Sequence, residues 1–253
     1  MNTGSFASFM NNPFSGQGKV LAALNEVAIL LPVFLLLFTW RGFIQAYFAK
    51  LMGDTTAEED GFLTLNPLAH VDLVGLLTIL GAFFVIAGFL PSGIPRPILL
   101  IMLVMMGVRW THPVHIDVAR LRSYKLGGVI TTLSGPFGTF TLGFLAIAAI
   151  KLILLIDLQQ HLLITLIDLL KTLADVAIVF GVIDLIPLPP FDGGKLLRFL
   201  LPYNQQYIVH KLEEYSLYIM LVLFVVPGIS DVFFRSLSIA TAIIKQLFFK
   251  ILF

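Results

Sequence analysis

Residues 184–195 concentrate the groups that could carry chemistry in this chain, because they place two acids inside a strongly apolar region. The segment reads Asp-Leu-Ile-Pro-Leu-Pro-Pro-Phe-Asp-Gly-Gly-Lys. Its prolines block the continuation of a helix, and its two glycines permit backbone geometries that other residues avoid. A carboxylate between apolar segments is costly unless it has a partner. We therefore interpret Asp192 either as a functional carboxylate held at a rigid break or as an acid of a surface loop that faces water.

The composition of the whole chain indicates that this segment belongs to a membrane protein. Of the 253 residues, 58% are hydrophobic and only 12% are charged, which is typical of a polytopic membrane protein. The net charge of +1 gives no indication of nucleic-acid binding. The lack of cysteine excludes disulfides and thiolate metal ligands. Because the first 17 residues are polar, we expect no cleavable signal peptide.

The apolar runs predict an all-α polytopic membrane protein with about six transmembrane helices, since a helix needs about 20 residues to cross the hydrocarbon core. We expect a surface tail at 1–18 and a membrane domain at 19–228. A C-terminal helix at 229–253 should either span the bilayer or lie in its interface. The run at 127–156 should bend or pack closely near Gly135. The expected spans are 20–40, 71–90, 98–110, 127–156 and 161–183, and a further apolar run lies at 217–226.

The basic residues predict the orientation of these spans. With alternating spans, the regions 41–70, 109–125 and 184–212 share one side of the membrane and carry more Lys and Arg than the other side. The positive-inside rule therefore places these three regions toward the cytoplasm or the equivalent compartment of an organelle.

Four motifs in order along the chain resemble the site-2 protease (M50) family of intramembrane zinc metalloproteases. The first is Gly53-Asp54 with the segment Gly-Phe-Leu-Thr-Leu-Asn-Pro-Leu-Ala-His-Val-Asp at 61–72, and the second is Trp-Thr-His-Pro-Val at 110–114. The third is Ser-Gly-Pro-Phe-Gly-Thr at 134–139, and the last is the segment 184–194. The resemblance covers about residues 30–200 and implies the helical membrane core of that family. The positions that match its structural motifs are Asn66, Pro67, His70, Gly135, Pro136, Pro187, Pro190, Gly193 and Gly194.

The chain departs from the family where the zinc chemistry should be. The family carries His-Glu-x-x-His on a helix, so that two imidazoles share a helix face and bind zinc while the glutamate activates water. The corresponding positions here are Arg41, Gly42 and Gln45, and no His-Glu-x-x-His occurs elsewhere in the chain. Asp192 is left as the third-ligand position of the family. Two family asparagines are also replaced, by Thr139 and Asp184.

Arg41 and Asp192 occupy positions whose family counterparts meet at one metal ion, so they could meet here as an ion pair. Such a pair would neutralise two charges that are otherwise expensive inside a membrane. The alternative is that Arg41 extends to the membrane surface and that Asp192 is hydrated.

A replacement metal site is the second possibility, built from Asp192 with ligands drawn from His70, His112 and His115. Histidines in polar loops at the membrane surface more often make backbone hydrogen bonds, so we favour that role for these three. Asp168, Lys171 and Asp175 share a helix face and could form pairs within their helix or face a partner protein.

These residues together predict a catalytically inactive site-2 protease homologue that acts as a scaffold or accessory subunit of a larger membrane complex. Its expected partners are the lipid bilayer and other integral membrane subunits, in a bacterial inner membrane or an organellar one. No cofactor is expected. Two alternatives remain open: an active zinc metalloprotease with a non-standard metal site, and a binder that holds transmembrane clients without cutting them.

Overall fold

The computed structural model describes residues 17–72, 114–155 and 159–252, with side chains from residue 28 onward. Outside these residues lie most of the expected tail at 1–18, most of the span at 71–90, the span at 98–110 and the candidate ligand His112. Residues 17 and 18 of the expected tail already belong to the first helix. The described residues form helices joined by turns, which confirms the predicted helical class. The helices, numbered within the described ranges, are α1 (Gln17–Leu51), α2 (Thr56–Glu59), α3 (Pro67–His70), α4 (Tyr124–Ile153), α5 (Gln160–Asp184), α6 (Asp192–Leu200), a 3₁₀ turn (Tyr203–Gln205), α7 (Gln206–Glu214), α8 (Ser216–Val225) and α9 (Ile229–Leu252).

Three of these helices are long and apolar enough to cross a membrane: the part of α1 at Ala28–Leu51, all of α4 and all of α9. α5 has 25 residues, but Asp168, Lys171 and Asp175 interrupt its apolar character. α8 has only 10 residues and is about 15 Å long, half the thickness of the hydrocarbon core. The apolar run at 217–226 is therefore too short to cross the membrane by itself, and a total of six spans stays a prediction.

α4 is the central helix, because α1, α5 and α6 all pack against it. Small residues permit the close approach that helices need in lipid, where the hydrophobic effect does not drive their association. A Cβ atom built on Gly138 would lie 3.1 Å from Cβ of Ile44 in α1, and one on Gly143 would lie 3.1 Å from Cγ1 of Ile178 in α5. The buried core of this bundle consists of Val33, Leu37, Leu142, Ala146, Ile147, Leu173, Ala174, Val176, Ala177 and Ile178.

α4 runs without interruption through Gly135 and Pro136. The sequence allowed either a bend or close packing at this point, and the structure places Gly135 against charged side chains of two other helices. Close packing therefore accounts for this small-residue motif.

α9 packs on α4 and α5 through the C-terminal part of its length. The rings of Phe248 and Phe144 are edge to face with centroids 5.4 Å apart, and Lys245 forms an ion pair with Asp175. The sequence left two roles open for Asp175, a pair within its own helix or a face toward a partner protein, and this contact gives it a partner on α9.

Candidate functional site

Arg41 lies on α1 and reaches the two acids of the segment 184–195. Its Nε atom donates a hydrogen bond to Oδ2 of Asp184 at 2.9 Å, and its Nη2 atom forms an ion pair with Oδ2 of Asp192. The remaining oxygen of Asp192, Oδ1, accepts from Nζ of Lys195 at 2.8 Å. We call these four residues the ion cluster. Its two cations and two anions sum to zero, so that no net charge is left at this buried position.

The side chains of the ion cluster are graded in exposure from its centre outward. The side chain of Asp192 is only 1% exposed and that of Asp184 is 13% exposed, whereas that of Lys195 is 57% exposed. Asp192 would be costly at this burial without partners, and both of its oxygens have one. The expected pair of Arg41 with Asp192 is therefore one contact of a larger set.

The glycine pair of the segment determines where Asp192 points. A Cβ atom on Gly193 would overlap the carbonyl groups of Leu185 and Ile186, and one on Gly194 would overlap the backbone at Leu188 and Pro189. Because neither glycine has a side chain, the proline loop folds back against the first turn of α6. This close approach starts the helix with Asp192 in its first turn, beside α1.

Gly135 of α4 forms another wall of the ion cluster. A Cβ atom at this position would lie 2.7 Å from Oδ2 of Asp192 and 3.3 Å from Nη2 of Arg41. Any side chain here would therefore push into the contact between the two charged groups. The Ser-Gly-Pro motif matters at this point because its glycine leaves room for the pair.

His70 packs its imidazole on the backbone of Gly42, one residue after Arg41. A Cβ atom on Gly42 would overlap Nδ1 of this ring and lie 2.9 Å from its Cε1 atom. The Nε2–H group of His70 donates to the carbonyl of Thr64 at 2.8 Å. His70 is buried, with 2% of its surface exposed. This burial lowers the pKa of the imidazole, although the hydrogen bond to the Thr64 carbonyl acts in the opposite direction.

The Asn-Pro motif starts the short helix that ends with His70. Oδ1 of Asn66 accepts from the backbone N–H of Leu68 at 3.1 Å, and Pro67 occupies the first position of α3. A side-chain cap followed by proline is a favourable way to begin a helix. The resulting single turn carries His70 onto α1.

Gln45 lies one helical turn after Arg41 and is also buried, with 4% of its surface exposed. The sequence resemblance assigns Gln45 to the position of the second histidine of the family motif. Its side-chain amide has no hydrogen-bond partner among the residues that the structure describes.

The two proposed alternative ligands that the structure describes, His70 and His115, do not form a metal-binding group with Asp192. His115 lies at the surface, where its Nδ1 atom is 3.1 Å from Oδ2 of Asp60, and His70 is held against Gly42. Within ranges 28–72, 114–155 and 159–252, no three His, Asp or Glu side chains form a group that could hold a metal ion.

The donor set around Asp192 does not fit the zinc ion that the family resemblance implies. Arg41 has no lone pair to offer, and both carboxylate oxygens of Asp192 already contact cationic groups. Zinc catalysis requires about three protein ligands and an open water position. Gly42 also supplies no carboxylate that could act as a base.

Sequence reasoning missed Asp184 and Lys195 as members of the site. The sequence shows Asp184 at the asparagine position of the family motif, and an acid there could have been matched to the new positive charge of Arg41. Lys195 follows Asp192 by three residues, the spacing at which side chains of one helix meet. These two signals together could have found the complete ion cluster.

Comparison with known proteins agrees with the resemblance. The sequence model described as Peptidase family M50 matches residues 27–227. The chain is 27% identical over 213 residues to the Bacillus subtilis (strain 168) protein named "Putative zinc metalloprotease YwhC", an alignment that covers 83% of this chain and 86% of that protein. No solved structure matches.

Proposed function

The chain belongs to peptidase family M50, the site-2 protease family, and from that premise we propose that it is a non-catalytic member acting as a scaffold or accessory subunit of a larger membrane complex. Family membership and the apolar helices make it an integral membrane protein resembling membrane metalloproteases. The proposal concerns what the chain does with this fold.

The observation that carries the proposal is the bridge from Arg41 to both Asp184 and Asp192. Arg41 is the residue that the resemblance assigns to the first ligand position of the family, and its guanidinium carries a permanent positive charge. A divalent cation 4 Å from a guanidinium would be repelled by on the order of 8 kcal/mol at an effective dielectric constant near 20. Zinc would therefore have to displace an existing partner of Asp192 as well as overcome this repulsion.

The contact of His70 with Gly42 supports the same conclusion independently. A glutamate at position 42 would have to enter the volume that the imidazole fills. His70 itself matches the family motif, so it is the close position of its ring over Gly42, and not its presence, that fits a helix without the general base. Two separate features of the packing, one charged and one steric, are matched to the altered sequence.

A scaffold role is supported by the fact that the chain keeps the helical core of the family but lacks the residues that would bind zinc. The core around α4 is closely packed, while α9 presents a row of exposed apolar residues along its length. In a membrane, such a row contacts lipid or another subunit. The exposed apolar residues of α9 include Val232, Ile239, Ile243, Leu247 and Ile251.

Metal analysis of the purified protein tests the non-catalytic part of the proposal. We expect zinc far below one ion per chain by inductively coupled plasma mass spectrometry, with an active M50 protease purified in parallel as the control. Stoichiometric zinc that is lost on Asp192→Ala would instead support the metalloprotease alternative.

Native purification tests the scaffold part and separates it from client binding. A subunit should remain with the same partners at fixed stoichiometry in mild detergent, as measured by native mass spectrometry. Partners that vary in identity and amount would instead indicate a binder of transmembrane clients. The proposed cytoplasmic placement of 41–70, 109–125 and 184–212 can be checked by cysteine labelling from each side of the membrane, because the chain has no native cysteine.

A further inference from the structure

Four of the six tyrosines of this chain lie between residues 203 and 218, and all four are exposed. We propose that residues 203–226 lie in the plane of the membrane surface and that these tyrosines bind the phospholipid headgroup layer. Tyrosine suits this layer because its ring is apolar and its hydroxyl is polar. The tyrosine face is defined by Tyr203, Tyr207, Tyr215 and Tyr218, with 94%, 62%, 52% and 64% of their surfaces exposed, respectively.

Contacts of α6 with α4 place the start of this segment at the end of a membrane-length helix. Asp192, in the first turn of α6, is level with Gly135 inside α4, whereas Phe199 near the end of α6 packs on Tyr124, the first residue of α4. Gly135 and Tyr124 are about 16 Å apart along the α4 axis. α6 therefore runs alongside α4 toward the first residue of α4, and the chain leaves the bundle near Tyr124, just before Pro202.

The contacts of α9 with α4 indicate that α9 begins near the same end of α4. Phe248 packs on Phe144, and further along both helices Lys151 donates to the carbonyl of Leu252, so α9 and α4 run in the same direction. α9 has 24 residues and is about 36 Å long. Its first residue, Ile229, consequently lies back near the level of Tyr124. α7 thus starts and α8 ends near one membrane surface, where Phe224 of α8 packs on Phe233 and Phe234 of α9, and each of the two helices is too short to cross.

The inner side of the segment is fixed to the protein, which leaves the tyrosines on the outside. The amide of Gln206 donates to the carbonyl groups of Arg198 and Leu201 at 2.9 and 3.0 Å. Arg198 also forms an ion pair with Glu213, and Val209 is buried. One side of α7 is therefore held by the protein, while Tyr207 on the same helix stays exposed.

The charges of the segment favour aromatic insertion over attraction to anionic lipids. Lys211 is its single Lys or Arg between 203 and 226, and Glu213 and Glu214 outnumber it. A polybasic segment gains about 1 kcal/mol per Lys or Arg at an anionic surface, and this segment has no such excess. The partner is accordingly the headgroup layer of ordinary zwitterionic phospholipids.

Fluorophores on single cysteines test the proposal, since the protein has no native cysteine. Tyr207→Cys and Tyr218→Cys, each retaining the other three tyrosines, are labelled with an environment-sensitive dye and reconstituted in phosphatidylcholine liposomes. Ala119→Cys in the exposed loop before α4 is the aqueous control, and Ile243→Cys on α9 is the lipid control. Tyr203→Cys and Tyr215→Cys replace any variant that does not elute as a folded, monodisperse protein.

We expect both tyrosine sites to be quenched by lipids brominated close to the headgroup and to resist quenching by aqueous iodide. Iodide should quench the dye at position 119, and lipids brominated deep in the chain should quench it at 243. The proposal is overturned if both tyrosine sites behave like position 119 in liposomes. Shielding from iodide that appears only in native membranes would also overturn it, because a protein partner rather than lipid would then cover the face.

Discussion

The imidazole of His70 occupies the space directly over Gly42, so that the smallest side chain at position 42 would overlap Nδ1. The two residues are 28 positions apart in the chain, and the loop between them includes the buried Asp54. This carboxylate accepts hydrogen bonds from the Thr56 backbone at 2.9 Å and from the Asp117 backbone at 2.7 Å. The loop that connects Gly42 to His70 is therefore held in place by the hydrogen bonds of Asp54.

Gly42→Ala should destabilise the protein by about 1–3 kcal/mol, the usual cost of inserting a methyl group into a packed site. Chemical unfolding in detergent measures this change. Gly127→Ala is the matched control with the milder contact and should cost less, because a Cβ atom there lies 3.3 Å from Cβ of Leu121, whereas one on Gly42 overlaps Nδ1 of His70. The double variant Gly42→Ala with His70→Ala should lose less than the sum of the single losses. Additive losses would mean that the two residues do not compete for one space.

Arg41→Met should lower the free energy of unfolding by about 3–5 kcal/mol, since it leaves buried carboxylates without their shared cation. Arg41→Met combined with Asp184→Asn should recover part of this loss, because only the neutral pair of Asp192 with Lys195 then remains. Arg198→Met removes a guanidinium from an exposed pair with Glu213 and should change stability by less than about 1 kcal/mol. An equal effect of the two arginine substitutions would argue against a special role of the ion cluster.

The three substitutions Arg41→His, Gln45→His and Asp184→Asn together should create a zinc site. The two positions lie one turn apart on α1, and the side chain of Arg41 already touches Asp192, so two imidazoles and one carboxylate could converge. We expect stoichiometric zinc by mass spectrometry, and loss of that zinc when Asp192→Ala is added. Peptide cleavage should stay absent, because Gly42 provides no base.

A folded variant of this kind that binds no zinc would mean that α1 and α6 are not spaced for a metal. Addition of Gly42→Glu to the three substitutions should reduce stability rather than restore cleavage, because the new side chain meets His70. Cleavage of a transmembrane substrate by that variant would contradict the steric part of the proposal.

Acidification should destabilise the protein through His70, which lies in the loop outside the membrane-length helices. Burial lowers the pKa of this imidazole in the folded state, so the unfolded chain binds the proton more readily. The stabilising contribution is complete above the unfolded value of about 6.5 and is lost as the pH falls toward the lower folded value. His70→Gln should weaken the fall in unfolding free energy between about pH 7 and 5. An unchanged pH profile would show that another group is responsible.

The family motifs in the sequence predicted the positions of the site better than its contacts. Arg41 and Asp192 could be paired because their motif positions are fixed relative to each other. Asp184 and Lys195 could not be assigned from the motif alone, since their inclusion depends on the proline loop folding against Gly193 and Gly194. The contact of His70 with Gly42 depends on a loop geometry that no short sequence pattern specifies.

The helix pairing was also only partly predictable. Apolar runs located α4 and α9, but a uniformly apolar helix gives little information on which face meets which neighbour. The link of Asp175 to Lys245 therefore emerged only from the structure. The sequence left the role of the apolar run at 217–226 open for a related reason, because an apolar segment of 10 residues is compatible with a surface helix as well as with part of a span.

The guanidinium of Arg41 has a consequence for how this protein is made in the cell. A metal that joins two helices must be supplied after translation, and the fold then depends on metal abundance and on chelators. The cation that joins α1 to α6 here is part of the polypeptide and is present as soon as the chain is inserted. Assembly of this core should consequently proceed in zinc-starved cells as well as in zinc-replete ones.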